Sequence, residues 1–384
     1  MIAPRLGRST ISVHGLPEPR KEGEPVSSAI FQSSTFVNAV GSDREVRYTR
    51  YGNNPNQLSL ARKYALLEGA EDAVFVASGM GATALAHLAV LRPGDHLIAS
   101  KWIYGGTRKL FDEEFGRLGI TVSYVDPTNP RVWRKSIKKT TRAIFIESPV
   151  NPTIRVLDLG PIAAIAKEFG VALLVDSTFA SPINFRPLEH GADLVITSAT
   201  KYLNGHTDII AGAVAGTRSV IEEIVRLMRV WGQAIDPHAA WLIDRGMKTL
   251  AIRMERHNAN GMAVAQFLSR HKNVANVGYA GLESHPDHEI ATRTLNGFGG
   301  MVGLTLKGGH AAAERFLRRL RLFVHAPSLA GVESMVSDPR FTSHKGQTAD
   351  QLADAEIADG FVRLSCGIED ADDLIADLEQ ALGR

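Results

Sequence analysis

The chain has 384 residues, of which 44% are hydrophobic, and its 43 Lys and Arg against 41 Asp and Glu give a net charge of +2. This near balance, without a long basic stripe, argues against a nucleic-acid partner. The single cysteine, Cys366, excludes an internal disulfide and favours a reducing cytoplasm. The sequence has no apolar N-terminal segment and no apolar run approaching about 18 residues, so we expect neither a signal peptide nor a membrane span.

The first part of the chain, residues 1–45, is rich in Pro, Ser, Gly and charged residues and has no clear hydrophobic period. We interpret it as an extended arm that becomes ordered only where it packs on another surface.

Short β-branched runs alternate with helical segments, such as 160–169, in the next part of the chain. The predicted strands are 73–77, 96–100, 121–125, 143–147, 172–176, 194–197 and 212–216. Most of these runs are apolar throughout, which is typical of strands that helices cover on both faces. We therefore predict a large α/β domain over residues 46–249 with a mostly parallel sheet.

The pattern changes beyond residue 249 to a long predicted helix, 250–271, followed by fewer and more alternating strands. The predicted elements that follow are strands 301–306 and 361–365 and helices 311–320 and 370–382. Residues 250–384 are accordingly predicted to form a smaller C-terminal α+β domain.

The segment VITSATKYLNGHTDIIAG, residues 195–212, is the most informative stretch of the sequence. It places Lys201 among small and hydroxylated residues directly after an apolar strand. A partly desolvated lysine amine condenses readily with carbonyls to form Schiff bases, and the hydroxyls of Ser198 and Thr200 suit a phosphate. These features together suggest a lysine that binds pyridoxal phosphate (PLP). An ordinary surface lysine at a strand end explains this segment equally well when it is taken alone.

Three further segments lie at strand ends, where open α/β sheets bind their ligands. The turn 78–81 precedes a helix whose N-terminus would favour an anion, although such turns are common without a ligand. Asp176 ends a strand, where a carboxylate can cap a turn or pair with a protonated pyridine nitrogen. Tyr104 follows another strand end and could lay its ring on a flat heterocycle. Each of these is an ordinary loop residue when taken separately.

Eight motifs occur along the chain in the order YTRYGN, ASGMGA, ESPVNPT, VDSTFASP, SATKYLNGH, RGMKTL, SLAGVES and VRLSCGIED. With these motifs the sequence, from about residue 48 to 382, resembles the Cys/Met-metabolism family of PLP-dependent enzymes. That family includes cystathionine γ-synthase, the cystathionine β- and γ-lyases and their relatives. The resemblance implies the type I fold of PLP-dependent transferases, similar to aspartate aminotransferase, with PLP as the cofactor and no metal.

The same resemblance implies the residues of the cofactor site. These residues are Tyr48, Arg50, Gly79, Met80, Tyr104, Asp176, Ser198, Thr200 and Lys201. Lys201 would form the Schiff base with PLP and then move protons, which requires a pKa lowered by burial. Asp176 would pair with the ring nitrogen, while Tyr104 would stack on the ring and assist the leaving group. The N–H groups of the 78–81 turn and the hydroxyls before Lys201 would hold the phosphate.

The substrate and subunit contacts are also implied by the resemblance. Arg363 would bind the α-carboxylate of a small amino-acid substrate through its planar fork, and Asn151 and Ser328 would help to place substrate and cofactor. Tyr48 and Arg50 match residues that reach the phosphate from a neighbouring subunit. An active site shared within a dimer, and a dimer of dimers, are therefore expected. For either arginine alone, a surface or ion-pair role is the ordinary explanation.

The synthase members of the family are the most similar, through the segments 147–152, 232–250 and 326–339. We therefore favour γ-replacement of an activated homoserine ester by cysteine, the trans-sulfuration step of methionine biosynthesis that yields cystathionine. Arg47 stands where many related γ-enzymes have an acidic residue, and it would favour an ester with an anionic tail. Gly106 stands where methionine γ-lyases typically have a cysteine. The alternative is β- or γ-elimination from cystathionine or a related sulfur amino acid.

Two other interpretations are weighed from the residues. His285, Asp287 and His288 resemble metal ligands by residue type, but no further ligand accompanies them, so a solvated loop is favoured. A non-catalytic scaffold that retains the fold is the other, and the intact Lys201 and Asp176 argue against it.

Overall fold

The computed structural model describes residues 6–17, 19 and 21–383. In this part of the chain the helices are α1 (Arg8–His14), α2 (Pro55–Glu68), α3 (Gly79–Val90), α4 (Gly105–Leu110), α5 (Pro130–Ser136), α6 (Leu159–Phe169), α7 (Ser181–Asn184), α8 (Arg218–Trp231), α9 (Pro237–Met247), α10 (Leu250–Ser269), α11 (His288–Thr294), α12 (Gly309–Arg319), α13 (Ala349–Asp354) and α14 (Ala371–Leu382). The strands are β1 (Asp72–Val76), β2 (His96–Ser100), β3 (Thr121–Val125), β4 (Thr141–Glu147), β5 (Ala172–Asp176), β6 (Leu194–Thr197), β7 (Gly212–Gly216), β8 (Val274–Gly278), β9 (Met301–Leu306), β10 (Val324–His325), β11 (Met335–Ser337) and β12 (Phe361–Ser365).

The larger sheet has the order β1-β7-β6-β5-β4-β2-β3 in the described residues. Strands β2 to β6 run parallel to one another, whereas β7 is antiparallel to both β1 and β6. The prediction of an α/β fold with a mostly parallel sheet is thus confirmed. All seven strands predicted for this region form, with ends shifted by two residues at most.

Burial on both faces explains why these strands are apolar throughout. In β4, Ile144 and Ile146 belong to the core on one side of the sheet, and Ala143 and Phe145 belong to the core on the other. All four side chains are fully buried. Alternate residues of a strand point to opposite faces, so both faces must be covered by helices.

The smaller sheet has the order β10-β11-β12-β9-β8 in the described residues. Its pairs are antiparallel apart from β10 with β11. Side chains of α10, α12 and α14 form the core against it. The predicted strands β9 and β12 are confirmed, and β8, β10 and β11 were not predicted. The domain boundary at residue 250, where α10 begins, stays a prediction.

The N-terminal region differs from the extended arm that the sequence predicted, because residues 8–14 form helix α1. Ile11 is only 8% exposed and joins the core beside α2, and Arg8 donates a hydrogen bond of 2.6 Å to the carbonyl of Ile183. Seven residues are too few to show a helical period in the sequence. Residues 1–5, 18 and 20 of the predicted arm lie outside the described residues. Across the described helices, none is both long and apolar enough to cross a membrane.

Candidate active site

Three neighbouring strands of the larger sheet end at the same edge. β4 ends at Glu147, β5 at Asp176 and β6 at Thr197, and Glu147 lies directly beside Asp176 in the strand register. Because the three strands are parallel, their carboxyl ends open on one crevice, which is where α/β sheets bind ligands. The polar residues that follow these ends are therefore brought close together by the fold.

The loop after β6 presents Lys201 to this crevice. Its backbone is held by a hydrogen bond from Lys201 N to the Ser198 carbonyl at 3.1 Å and from Gly205 N to the Lys201 carbonyl at 2.8 Å. The buried Arg253 donates to the Tyr202 carbonyl at 2.8 Å from α10. A guanidinium that satisfies backbone carbonyls fixes the loop, and with it the base of the lysine side chain.

The Lys201 amine donates a hydrogen bond of 2.7 Å to the hydroxyl of Ser328. Burial lowers the pKa of Lys201 to about 8, and the nearby charge of Arg363 adds to the effect. Desolvation and a neighbouring cation both disfavour the ammonium form. The neutral, nucleophilic amine is thereby populated close to neutral pH, as the sequence-based role of Lys201 requires.

In the cofactor-free protein, we expect the acylation rate of Lys201 by an amine-selective reagent to rise with pH around a midpoint near 8. Only the neutral amine reacts, and an ordinary lysine has a pKa of about 10.4. Site-resolved labelling by mass spectrometry measures the midpoint, with the exposed Lys109 of α4 as an internal reference. Arg363→Gln should raise the midpoint, because it removes the neighbouring positive charge. A Lys201 midpoint at the ordinary lysine value would contradict the geometry.

The N-terminus of α3 lies against the lysine loop. Gly79 is its first residue, and a Cβ atom there would lie 2.8 Å from the Ser198 hydroxyl oxygen. The hydroxyl of Ser78 caps the helix by accepting from Gly81 N at 3.0 Å. The N–H groups of Gly79 and Met80 fall in the first helical turn, where the helix itself supplies no acceptor. Helix N–H groups and a serine hydroxyl together form a cradle suited to a phosphate.

The hydroxyl of Thr200 contacts the backbone of Ala211 in this structure. Its hydroxyl accepts from Ala211 N at 3.0 Å and donates to the Ala211 carbonyl at 3.2 Å. The threonine thereby ties the lysine loop to the segment that enters β7.

Asp176 is partly buried at the end of β5. One carboxylate oxygen accepts from Thr178 N at 2.9 Å. Burial raises the pKa of Asp176, while the hydrogen bonds from Thr178 oppose the rise. A cation placed beside this carboxylate would hold it in the charged form, so the position suits a protonated ring nitrogen.

Arg363, in the middle of β12, brings the smaller domain to the crevice. It donates to the side-chain oxygen of Asn151 at 2.7 Å and to the Ser328 carbonyl at 2.9 Å. Burial lowers the pKa of Arg363 to about 10, and the facing Tyr104 and Glu147 oppose the shift. Its buried Nε has no partner within the described residues. A guanidinium nitrogen left unpaired in this way is suited to a substrate carboxylate.

Ser328 has an unusual backbone, with φ at +109°, which few residues other than glycine adopt. Such a conformation costs on the order of 1–3 kcal/mol and persists only where neighbours hold it in place. The hydrogen bonds from Lys201 to its hydroxyl and from Arg363 to its carbonyl supply that restraint. Ser328 therefore joins the predicted lysine to the predicted carboxylate-binding residue.

Tyr104 precedes α4, and its backbone N–H donates to Glu147 at 2.8 Å. The side chain is 36% exposed, so the ring is available to a ligand. A Cβ atom at Gly106 would lie 3.0 Å from the Cζ atom of the Tyr104 ring, so the small residue leaves room for the ring.

Tyr48 and Arg50 make contacts elsewhere in their own chain. The Arg50 guanidinium lies 5.6 Å from the Tyr48 ring and 5.1 Å from the Tyr51 ring, and it donates to the Arg229 carbonyl at the end of α8. Tyr48 N donates to the side chain of Asn53 at 2.9 Å. These two residues therefore make no contact with the crevice in their own chain among the contacts described, and Arg50 is held by α8.

Glu147 is a site residue that the sequence reasoning did not single out. It is only 4% exposed and accepts hydrogen bonds from the backbone N–H groups of Tyr104 and Asn151. Burial raises its pKa well above the ordinary value, the facing Asp176 adds to the rise, and the two N–H groups oppose it. The sequence feature that could have identified Glu147 is its position at the end of an apolar strand, as the first residue of the motif ESPVNPT.

The prediction of a solvated loop around His285 was wrong. His285 and Asp287 are 5% and 7% exposed, and Asp287 accepts from Arg155 Nε at 2.6 Å and from Val156 N at 2.9 Å. The carboxylate is the counter-ion of Arg155, whose guanidinium also lies 4.4 Å from the Trp102 ring. In the part of the chain that the structure describes, no group of three or more His, Cys, Asp or Glu residues could hold a metal ion.

The chemistry of the crevice fits PLP. The α3 N-terminus and Ser198 suit its phosphate, the Lys201 amine suits its aldehyde, and the Asp176 carboxylate suits its ring nitrogen. The close approach of Gly79 to Ser198 is the observation that brings the phosphate donors together.

Comparisons with known proteins also indicate PLP as the cofactor. Residues 9–383 match the family model of Cys/Met metabolism PLP-dependent enzymes. L-methionine gamma-lyase from Fusobacterium nucleatum subsp. polymorphum is 39% identical, with 100% of both chains covered. Cystathionine gamma-synthase from Mycobacterium bovis is 41% identical over 98% of this chain and 97% of the relative. The crystal structure of cystathionine gamma synthase from Xanthomonas oryzae pv. oryzae, in complex with aminoacrylate and cysteine, superposes with a TM-score of 0.94 at 37% identity, covering 98% of each chain.

Proposed function

Since the chain belongs to the Cys/Met-metabolism family of PLP-dependent enzymes, we propose that it catalyses γ-replacement of an activated homoserine ester by cysteine, the reaction of a cystathionine γ-synthase. One observation carries the proposal. Ser328 binds the Lys201 amine through its hydroxyl, at 2.7 Å, and the Arg363 guanidinium through its carbonyl, at 2.9 Å. A proton-transferring amine beside a carboxylate-binding fork is the arrangement that chemistry at the α, β and γ carbons of an amino acid requires.

PLP, when bound, supplies an electron sink for the electrons left behind when a bond to Cα breaks. In the proposed mechanism, Arg363 binds the substrate α-carboxylate and Asn151 orients the guanidinium. Lys201 Nζ would take the proton from Cα, release it so that the amine is neutral again, and then take a proton from Cβ; its lowered pKa favours the neutral form that each of these steps needs. Tyr104 assists the departure of the ester group. Asp176 supplies the negative charge for the ring nitrogen.

The phosphate of the cofactor is proposed to bind at the N-terminus of α3. The N–H groups of Gly79 and Met80 and the hydroxyl of Ser198 would donate to it. Thr200, on the same loop, would be the fourth donor by turning its one O–H from the Ala211 carbonyl to the phosphate. The positive end of the helix dipole adds to this attraction.

We further propose a homo-oligomer, a dimer of dimers, in which Tyr48 and Arg50 act at the active site of a neighbouring subunit. Arg50 is held on a surface segment of its own chain by the Arg229 carbonyl of α8, and its guanidinium lies over the Tyr48 ring. The same segment carries Val37 and Val40, whose side chains are fully exposed. Exposed apolar side chains on an extended segment are typical of a surface that a partner subunit covers.

A cytoplasmic location is proposed from the use of cysteine. The only cysteine, Cys366, is fully buried in the core of the smaller domain, and burial raises the pKa of its thiol. The protein therefore uses no disulfide, which is usual in a reducing compartment.

The ester specificity is proposed to involve Arg47, one residue before Tyr48. Its guanidinium lies 5.5 Å from the Phe36 ring on the exposed N-terminal segment. If this segment reaches a neighbouring active site, the positive charge would attract an ester with an anionic tail, such as a succinyl or phosphate group.

A substrate panel tests the reaction and the specificity together. O-succinyl-, O-acetyl- and O-phosphohomoserine and cystathionine are each supplied with and without cysteine, and the oxo acids and cystathionine are quantified. We expect cystathionine to form from an ester plus cysteine, with an anionic ester preferred. Arg47→Glu should raise the KM for that ester about tenfold, because the attraction becomes repulsion, and Arg44→Glu on the same segment is the matched control.

Rapid release of an oxo acid from cystathionine, with no cystathionine formed from any ester, would overturn the synthase assignment. It would favour the second candidate function, β- or γ-elimination from cystathionine or a related sulfur amino acid. The 39% identity to a methionine gamma-lyase supports this candidate. The family resemblance implies that methionine γ-lyases typically have a cysteine at the position of Gly106, and a side chain there would meet the Tyr104 ring, which argues against a close variant of a methionine γ-lyase.

A further inference from the structure

Glu147 occupies a central position between the two domains. It ends β4, beside Asp176 at the end of β5, and its side chain is only 4% exposed. One carboxylate oxygen accepts from Tyr104 N at 2.8 Å and the other accepts from Asn151 N at 2.7 Å. Each oxygen of this buried carboxylate thus binds a different loop.

The two loops lead to opposite sides of the proposed active site. Tyr104 starts the turn into α4 and presents its ring to the crevice. Asn151 accepts a hydrogen bond of 2.7 Å from Arg363 Nη1, and Arg363 in turn donates to the carbonyl of Ser328. A continuous chain of hydrogen bonds therefore runs from Glu147 across the domain boundary to the residue that binds the Lys201 amine.

We propose that Glu147 is a positioning residue, which holds Tyr104 directly and Arg363 through Asn151 in one geometry around the Lys201 amine. This inference rests on the roles proposed above for Tyr104 and Arg363. The Glu147 carboxylate thereby links the position of Tyr104, which faces the leaving group, to the position of Arg363, which binds the substrate carboxylate.

The chemistry of the side chain explains why a glutamate is needed. Both donors are backbone N–H groups, and an ionised carboxylate offers an acceptor to each of them. Burial and the facing Asp176 raise the pKa of Glu147, and the two N–H groups and the charge of Arg363 oppose that rise and favour the ionised form. A glutamine has only one acceptor oxygen. Its NH₂ group would face the second backbone N–H, so that two hydrogen-bond donors would point at each other. A buried N–H without an acceptor is costly, so that loop would shift to find another partner. An aspartate keeps the charge but is one methylene shorter and would reach only one of the two loops.

The test uses the PLP-loaded protein and L-alanine, an amino acid that has a carboxylate but no leaving group. We expect Glu147→Gln to weaken alanine binding about tenfold, measured by calorimetry, and to lower kcat about tenfold with the preferred ester. Glu147→Asp should shift both quantities in the same direction. The matched control is Asp193→Asn, which removes a carboxylate that binds the backbone of Leu173 at the far end of β5. Its alanine affinity should equal that of the unmodified protein.

A double variant separates positioning from a merely structural role. If Glu147 positions Arg363 through Asn151, the Asn151→Ala variant has already lost this effect. Adding Glu147→Gln to Asn151→Ala should then weaken alanine binding no further. Additive losses in the double variant would overturn the proposal. So would a lower melting temperature of Glu147→Gln with unchanged alanine affinity and kcat. If Glu147→Gln does not fold, Glu147→Asp carries the same comparisons. Alanine binding does not depend on the reaction catalysed, so the outcome stands even if the protein is a lyase.

Discussion

Replacing Lys201 with alanine is expected to lower kcat/KM by more than about 10³-fold with every substrate of the panel. The amine has a pKa lowered to about 8 and donates a direct hydrogen bond to the Ser328 hydroxyl. Its loss removes both the nucleophile for the cofactor aldehyde and the proton carrier, and general acid–base catalysis alone contributes about 10²- to 10⁴-fold. Steady-state kinetics of the purified variant give the measurement.

The matched control for this prediction is Lys109→Ala, which removes an exposed lysine of α4 and should leave kcat/KM unchanged. Equal melting temperatures of the two variants would show that the fold is retained. A Lys201→Ala protein with activity within tenfold of the unmodified enzyme would contradict the assigned role.

Replacing Asp176 with asparagine is expected to lower kcat by about 10²- to 10³-fold and to weaken the retention of PLP. Asparagine has nearly the same shape but no charge, so a protonated ring nitrogen would lose its counter-ion. Breaking a buried ion pair costs about 3–5 kcal/mol, and the lower part of that range, about 3–4 kcal/mol, corresponds to this loss of rate. The kinetics and the PLP content after gel filtration measure the two effects.

Asp193→Asn at the opposite end of β5 is again the control, since its carboxylate binds a backbone N–H away from the crevice. If Asp176→Asn kept its full rate and bound PLP as tightly as the control, the ring nitrogen would need another partner. The carboxylate of Glu147, which lies beside Asp176, would then be the first group to test by substitution.

The fold of the larger domain could be predicted because its strands are buried on both faces. Runs such as residues 143–147 and 172–176 are continuous apolar segments, and the structure has them as adjacent parallel strands. β8, β10 and β11 could not be predicted in the same way. All five residues of β8 are half-buried or exposed, and β10 and β11 contain two and three residues. Such strands form because β9 and β12 supply an edge, which is a tertiary effect.

The site could be predicted where chemistry and local sequence coincide. Lys201, Ser198 and Asp176 follow strand ends, and the structure brings these ends to one edge of the sheet. Glu147 follows the same rule, but its importance depends on two backbone N–H groups that the sequence does not reveal. The burial of Asp287 likewise depends on Arg155, 132 residues away.

The contacts proposed between subunits rest on the family resemblance. Tyr48 and Arg50 contact residues of their own chain, and no contact between subunits is needed to explain their positions. Their role at a neighbouring active site stays a proposal that follows from the family pattern.

Borohydride reduction of the PLP-loaded protein, followed by peptide mapping with mass spectrometry, tests the central claim most directly. We predict that the mass of a reduced PLP adduct appears on the peptide that contains Lys201, and that the Lys201→Ala variant shows no adduct. An adduct on a different lysine, or no adduct on a protein that binds PLP and turns over substrate, would contradict the account.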